Sequence, residues 1–272
     1  MFECASIHLF RACNMNCKFC YRHKKGGVEK DLDFWLDLIP YFKKLGIPQI
    51  AAGGGEPLMK PYWIMELARK SREHGLFFNM TTNGKLIEKV PLKTFKDITM
   101  LSISFDDEKI KNAKDYTDFI SSIMYLKQHY PKLKIGVNYL CDKKGLANLV
   151  NSCRVFFDKL KVDRVFALCP KNIEAEILKH RGTYTILTTI YPNFMVDDLT
   201  KCIIESGKYR NWEKPCHFGK IISIDEEGNI GGCSFDLGKV KCLTLKEPKD
   251  IMLVKDIQFK ERHSCPYLKE RR

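Results

Sequence analysis

No stretch of this 272-residue chain is apolar for long enough to span a bilayer. The opening Met1-Phe2-Glu3-Cys4 lacks the basic start and apolar core of an export signal. These two absences point to a cytoplasmic protein with no membrane partner. No internal repeat and no low-complexity segment occur, which removes solenoid and fibrous architectures. A G-x-G-x-x-G phosphate loop is missing as well. The one glycine run, Gly53-Gly54-Gly55, has no helix beginning at the required spacing. Acidic residues are in deficit: 33 Asp and Glu stand against 46 Lys and Arg, a net charge of +13. Residues 127–171 hold ten Lys or Arg and three Asp, and Arg22, Lys24 and Lys25 add to the excess. Such charge suits an anionic substrate, an acidic partner or nucleic acid, or is a solvated lysine-rich surface. The cations are not interleaved with aromatics as in a nucleic-acid groove, so nucleic acid is the least favoured of these.

What the chain has in quantity is cysteine, twelve in all. In a reducing compartment that number suggests metal ligands or reactive thiols more than disulfides. Cys13, Cys17 and Cys20 lie on one stretch with the spacing C-x3-C-x2-C. Zinc sites begin with a close pair and end with a second pair or two histidines. Here three thiols share a short loop with no nearby fourth ligand. That count suits a cubane iron–sulfur cluster with one iron left open to bind a small molecule.

Hydrophobic content of 44% and the length allow one large core, with or without an appendage. Strands are expected at residues 4–10, 48–52, 76–81, 97–105, 133–140 and 163–169. Helices are expected at 33–45, 61–74, 115–129 and 146–160, with Pro40 kinking or interrupting the first. Residues 21–30, with Gly26-Gly27, read as a basic flexible loop. This alternation predicts a parallel sheet of βα units in an α/β fold. Glycines that let the backbone come close to a ligand, Gly54 and Gly55 with Glu56, follow the second strand, and polar residues end the next two, Thr82 and Asn83 after the third and Ser104 and Asp106 after the fourth. Chemistry in α/β barrels sits at the strands' C-terminal ends. Thr82 is equally a turn residue, Asp106 a helix N-cap, and Asn138 in the fifth strand a core amide. Cys169 ends the sixth strand. It either faces the pocket, as the one candidate catalytic side chain, or fills the core. Cys4, Cys141, Cys153 and Cys202 read as small core residues. Residues 171–210 are less legible, with a helix near 173–180, an apolar stretch at 184–191 and a helix near 196–206.

Near the C-terminus, strand 220–224 and the turn Asp225–Asn229 form a β-hairpin with Cys216 and Cys233 at its open ends. Cys242 and Cys265 follow. Four cysteines in a small terminal unit suggest a metal.

Cys13-Asn14, Phe19-Cys20, Gly54-Gly55-Glu56-Pro57, Thr82-Asn83-Gly84 and Ser104-Phe105-Asp106 together resemble the radical S-adenosylmethionine (radical SAM) superfamily. The resemblance implies a partial six-stranded (β/α)6 barrel over residues 1–195. It also implies a [4Fe-4S] cluster on Cys13, Cys17 and Cys20 that binds S-adenosylmethionine. Phe19, Gly54, Gly55, Glu56, Thr82, Asn83, Ser104, Asp106 and Asn138 would shape that cofactor's pocket. One electron would split S-adenosylmethionine to a 5′-deoxyadenosyl radical, which takes a hydrogen atom from substrate. The hairpin resembles the SPASM/twitch extensions of the same superfamily, through Cys216, Gly228 and Cys233. It lacks the dense cysteine series of a full SPASM domain. The shorter twitch form over residues 196–272 is implied, with one auxiliary [4Fe-4S] cluster on Cys216, Cys233 and Cys265 and with Cys242 as a fourth candidate. Implied partners are an electron donor such as flavodoxin or ferredoxin and either a ribosomal peptide or a small anionic metabolite. No extra N-terminal leader-binding domain is expected, which narrows the margin for a peptide. A non-enzymatic zinc-binding adaptor is the competing class.

Overall fold

The structure, a computed structural model, describes residues 2–18, 20, 26–106, 109–168, 177, 179–197, 200–201, 204–205, 219–232 and 241–257. The chain divides into two compact units. One comprises Met1–Leu101 with Phe218–Lys260, the other Ser102–His217 with Glu261–Arg272.

In the first unit, β1 (Cys4–His8), β2 (Gln49–Gly53) and β3 (Phe77–Thr82) pair in parallel, as the alternation of strand and helix predicts. β1 also pairs in parallel with β8 (Ile221–Ile224) on its other side, setting Ala5 opposite both Ile50 and Ile222. Strands flanked on both edges and covered on both faces read as apolar runs. Cys4, Ala5, Ile7 and His8 of β1 are all buried. β9 (Asn229–Gly231) returns antiparallel to β8, and β10 (Lys241–Thr244) pairs antiparallel with β9. The turn between β8 and β9 is set by Asp225. Its Oδ1 accepts from the backbone N–H groups of Glu227 at 3.0 Å and Asn229 at 2.8 Å, an Asx-type closure.

α1 (Leu32–Lys44) starts where Asp31 caps it, accepting from the Phe34 N–H at 2.9 Å. Asp33 in its first turn and Lys43 and Lys44 in its last match the helix dipole. Of the two outcomes expected at Pro40, a kink or an interruption, the interruption does not occur. A proline there removes one backbone hydrogen bond and crowds the carbonyl four residues back. Burial of Phe34, Trp35, Leu38, Ile39 and Phe42 on one face offsets that cost. This face packs against α2 (Pro61–Glu73) and the 3-10 helix Pro248–Asp256.

The chain passes into the second unit within β4 (Met100–Phe105). There β5 (Lys134–Leu140), β6 (Arg164–Leu168) and β7 (Phe194–Val196) pair in parallel. α3 (Ala113–His129) is capped by Asn112, which accepts from the Asp115 N–H at 3.0 Å. α4 (Lys143–Cys153) is capped by Asp142. The expected helix 146–160 is therefore shifted and divided, because its last part, Arg154–Lys159, is π-helical. The apolar stretch near 184–191 is helix α5 (Arg181–Ile190). β7 is a strand beyond the six read from the sequence. Three residues are too few for an alternating pattern to register. Phe105 stacks on Tyr139 (5.4 Å, 12°) and meets Phe119 and Phe156 edge-on, forming the aromatic part of this unit's core. Among the described residues, no helix is long and apolar enough to cross a membrane.

Candidate active site

The site in the first unit is built where β1, β2 and β3 end. After β1 the chain runs through Leu9-Phe10-Arg11-Ala12 to Cys13. After β2 it runs through Gly54-Gly55-Glu56. These two segments continue the strand pairing: the Gly55 N–H donates to the Phe10 carbonyl at 2.7 Å, and the Glu56 N–H to the Ala12 carbonyl at 2.8 Å. Gly54 has φ +132, and a Cβ on Gly55 would overlap the Ala12 carbonyl. The glycine pair is thus explained by backbone meeting backbone. It fixes the chain one residue before the first cysteine.

Glu56 is 1% exposed. A buried carboxylate needs donors. Its Oε1 accepts from the Thr82 hydroxyl at 2.6 Å and the Leu58 N–H at 3.1 Å; its Oε2 accepts from the Asn83 N–H at 2.7 Å. Thr82 in turn accepts from the Gly84 N–H at 3.1 Å, so it serves the turn and the carboxylate together. Asn83 Oδ1 accepts from the Lys85 N–H at 3.0 Å, and its Nδ2 donates to Asn14 Oδ1 at 2.7 Å. Glu56, Thr82, Asn83 and Asn14 therefore form one chain of hydrogen bonds from β2 through β3 to the cysteine loop.

The second unit holds Ser104 and Asn138 half-buried and Asp106 buried. Asp106 forms an ion pair with Lys109, and its Oδ1 accepts from the Lys109 N–H at 3.1 Å. Its carbonyl also accepts from the Ile110 N–H at 2.8 Å. Among the described residues no helix begins at Asp106, and the next one, α3, is capped by Asn112.

A family model described as the Radical SAM superfamily matches residues 7–140, which contain the cysteine loop, the Gly54–Glu56 turn and the Thr82–Asn83 turn. This chain belongs to the radical SAM superfamily of enzymes. It is 25% identical over 177 residues to an Fe-coproporphyrin III synthase of Methanosarcina barkeri, covering 60% of the chain and 42% of the relative. It is 32% identical over 110 residues to an S-adenosylmethionine-dependent nucleotide dehydratase of Flammeovirga pacifica (36% and 37%). A PqqA peptide cyclase of Granulibacter bethesdensis is 25% identical over 153 residues (52% and 40%). The chain thus spans about two-fifths of the length of these curated relatives. Among solved structures, Streptococcus suis SuiB bound to the precursor peptide SuiA shares the fold, with TM-score 0.69 and 17% identity over 99% of this chain and 67% of SuiB.

The superfamily implies a cluster and S-adenosylmethionine. The donor set of this radical SAM chain fits the cluster in kind. Cys13 and Cys20 are exposed free thiols and Cys17 is half-buried. The loop turns between the second and third, with the Cys20 N–H donating to the Cys17 carbonyl at 3.2 Å. The Met15 N–H lies 3.4 Å from Cys13 Sγ, the kind of contact that supports a thiolate. Among the described residues, no three His, Cys, Asp or Glu side chains are grouped closely enough to hold a metal ion. The loop provides three donors in sequence without drawing them to one point.

Elsewhere, Cys4 and Cys153 are buried, and burial pushes their thiols up to about 11 and about 12. Cys141 is buried too. All three behave as the small core residues expected. Cys242 is exposed on β10. Phe19, Cys169, Cys202, Cys216, Cys233 and Cys265 lie outside the described residues.

Sequence reasoning missed Arg11. Its Nε lies 2.9 Å from Glu226 Oε1, an ion pair and not an aligned hydrogen bond. Its other guanidinium nitrogens reach Glu227, Glu29 (3.5 Å) and the Gly27 carbonyl (3.0 Å). Nothing in one sequence pairs residue 11 with residues 226 and 227. The parallel pairing of β8 with β1 brings them together, and only the fold reveals that.

Proposed function

We propose that the chain reductively cleaves S-adenosylmethionine and uses the resulting radical to take a hydrogen atom from a substrate. The observation that carries this reading is the interlocking of three segments within the family-matched region. The Gly54–Glu56 turn bonds to Phe10 and Ala12, and Asn83 bonds to Asn14, so both grip the loop bearing Cys13, Cys17 and Cys20. Those three thiols would hold a [4Fe-4S] cluster. When bound, the cluster supplies one electron to the sulfonium, giving methionine and a 5′-deoxyadenosyl radical. The protein's part is orientation. Glu56 and Thr82 hold the turn after β2 against the turn after β3, so backbone groups around Gly54 and Gly55 face a fixed direction. Ser104, Asp106 and Asn138 are further proposed cofactor-binding residues.

A ribosomal peptide is the substrate class we favour. A PqqA peptide cyclase among the relatives and a structural neighbour bound to a precursor peptide support it. A small anionic metabolite is the second reading. It is favoured by the nucleotide dehydratase relatives and by exposed cations on the second unit, among them Lys132, Lys134, Lys143, Lys144, Arg154, Lys159, Lys161 and Arg164. Flavodoxin or ferredoxin would supply the electron. Residues 196–272 would form the twitch-type extension to a core of residues 1–195. Cys216, Cys233 and Cys265, with Cys242, would ligate one auxiliary cluster there.

Anaerobic preparation and reconstitution test the proposal. Brown protein is expected, with about four iron and four sulfide per cluster formed. Reductant and S-adenosylmethionine should yield 5′-deoxyadenosine, and Cys17→Ala should abolish that product. A Cys17→Ala variant that cleaves as well as the parent would show the site to be misassigned. Colourless protein containing zinc would favour the adaptor.

A further inference from the structure

We infer that Glu226 and Glu227, on the turn of the β8–β9 hairpin, are positioning residues for the cysteine loop and act on it through Arg11. The inference rests on the reading that this loop holds the cluster. Arg11 lies two residues before Cys13. Its side chain is 15% exposed and that of Glu226 only 8%. Ion pairs sheltered to this degree are screened less than those in open solvent. A guanidinium has five N–H donors in a fixed fork, which lets one side chain engage several acceptors at once.

Glu227 grips both stems of the loop. It pairs with the Arg11 guanidinium, and its Oε1 accepts from the Gly27 N–H at 2.6 Å. Glu29 adds a second tie, accepting from the Arg11 N–H at 2.8 Å. The Glu226 carbonyl accepts from the Lys30 N–H at 2.7 Å, and Lys30 Nζ donates to the Lys246 carbonyl at 3.3 Å. Arg11 before the cysteines and Gly27 and Lys30 after them are therefore both tied to one hairpin distant in the chain. The glycines fit this purpose. A Cβ on Gly26 would overlap the ends of the Glu227 and Arg11 side chains. Holding the stems together lowers the conformational entropy that the loop would otherwise lose on gathering three thiols around a cluster. The hairpin's acidic turn thus pre-organises the cluster loop, whether or not the hairpin also carries a metal.

The test compares the parent with Glu226→Gln, Glu227→Gln and the double variant. Exchange at the Arg11 and Gly27 amides is read in the metal-free protein. Iron retention and the electron paramagnetic resonance spectrum are read after anaerobic reconstitution. In Glu227→Gln the Gly27 amide should exchange about tenfold faster, the loss expected for one hydrogen bond to a charged acceptor. Iron retention should fall and the spectrum of the reduced cluster should broaden, while the global unfolding midpoint stays close to the parent's. Glu247→Gln, which removes an exposed partner of Lys249, should change none of these. Should the double variant fail to fold, Glu227→Gln carries the same readout at a side chain 31% exposed. Unchanged exchange at Gly27 overturns the inference. So does faster exchange with unchanged iron retention and spectrum. A parent that binds no iron overturns the cluster reading itself, an outcome distinct from a parent and variant that load equally.

Discussion

Asn83 donates its side-chain amide to Asn14 at 2.7 Å, tying the turn after the third strand to the residue beside the first cysteine of the loop. The other face of Asn83 is fixed by Lys85 and by the carboxylate of Glu56. Asn83 is thus held by two partners, Glu56 at its backbone N–H and Lys85 at its side-chain oxygen, while its amide nitrogen reaches a third, Asn14. Asn83→Ala should leave the fold intact, since the residue is only half-buried. It should lower the rate of 5′-deoxyadenosine formation by about tenfold, the scale of one hydrogen bond. Asn14→Ala should produce a similar loss, and the double variant should be little worse than either single one. Additive losses would mean the two residues act separately.

Glu56 offers a sharper test, because its carboxylate is buried and accepts from three donors. Glu56→Gln keeps the shape but turns one acceptor into a donor facing other donors. The expected cost is about 1–3 kcal/mol of folding stability. Urea denaturation of the metal-free protein reads it directly. An unchanged midpoint would mean that the carboxylate contributes through a ligand and not through the fold.

Much of this was legible from residue order. The parallel strands and the clustering of Glu56, Thr82 and Asn83 at strand ends follow from local chemistry; the caps at Asp31 and Asp142 were found only in the structure. Pro40 does not interrupt its helix because tertiary burial of Trp35, Leu38 and Phe42 outweighs one missing hydrogen bond. The place of the C-terminal hairpin was not legible. Its hairpin register is local, but the pairing of Ile222 with Ala5 joins residues with no shared local pattern. Arg11 escaped for the same reason.

The Gly55 position should be intolerant of any side chain. Its Cβ would overlap the Ala12 carbonyl, and relief requires breaking the bonds to Phe10 and Ala12. Gly55→Ala should cost about 2–4 kcal/mol, above the usual range for a surface change. It should also raise the exchange of the Glu56 amide more than that of amides in α3. A Gly55→Ala protein as stable as the parent would refute the close approach.

The cysteines divide by environment, and alkylation can count the division. Cys13 and Cys20 are exposed; Cys4 and Cys153 are buried, with thiols pushed by that burial up to about 11 and about 12. Only thiolates react, so iodoacetamide at pH 8 should label Cys13 and Cys20 in the metal-free protein well before Cys4 and Cys153. The sign of the stability effect follows. Both folded values lie above the ordinary thiol value of 9.0, so the folded chain keeps protons that the unfolded chain releases. Their contribution is complete below pH 9 and fades as pH climbs toward 11 and 12. A Cys153→Ala variant should therefore lose stability less steeply than the parent across that range, whatever its starting stability. Labelling of Cys153 as fast as Cys13, or parallel slopes in parent and variant, would place that thiol in contact with solvent.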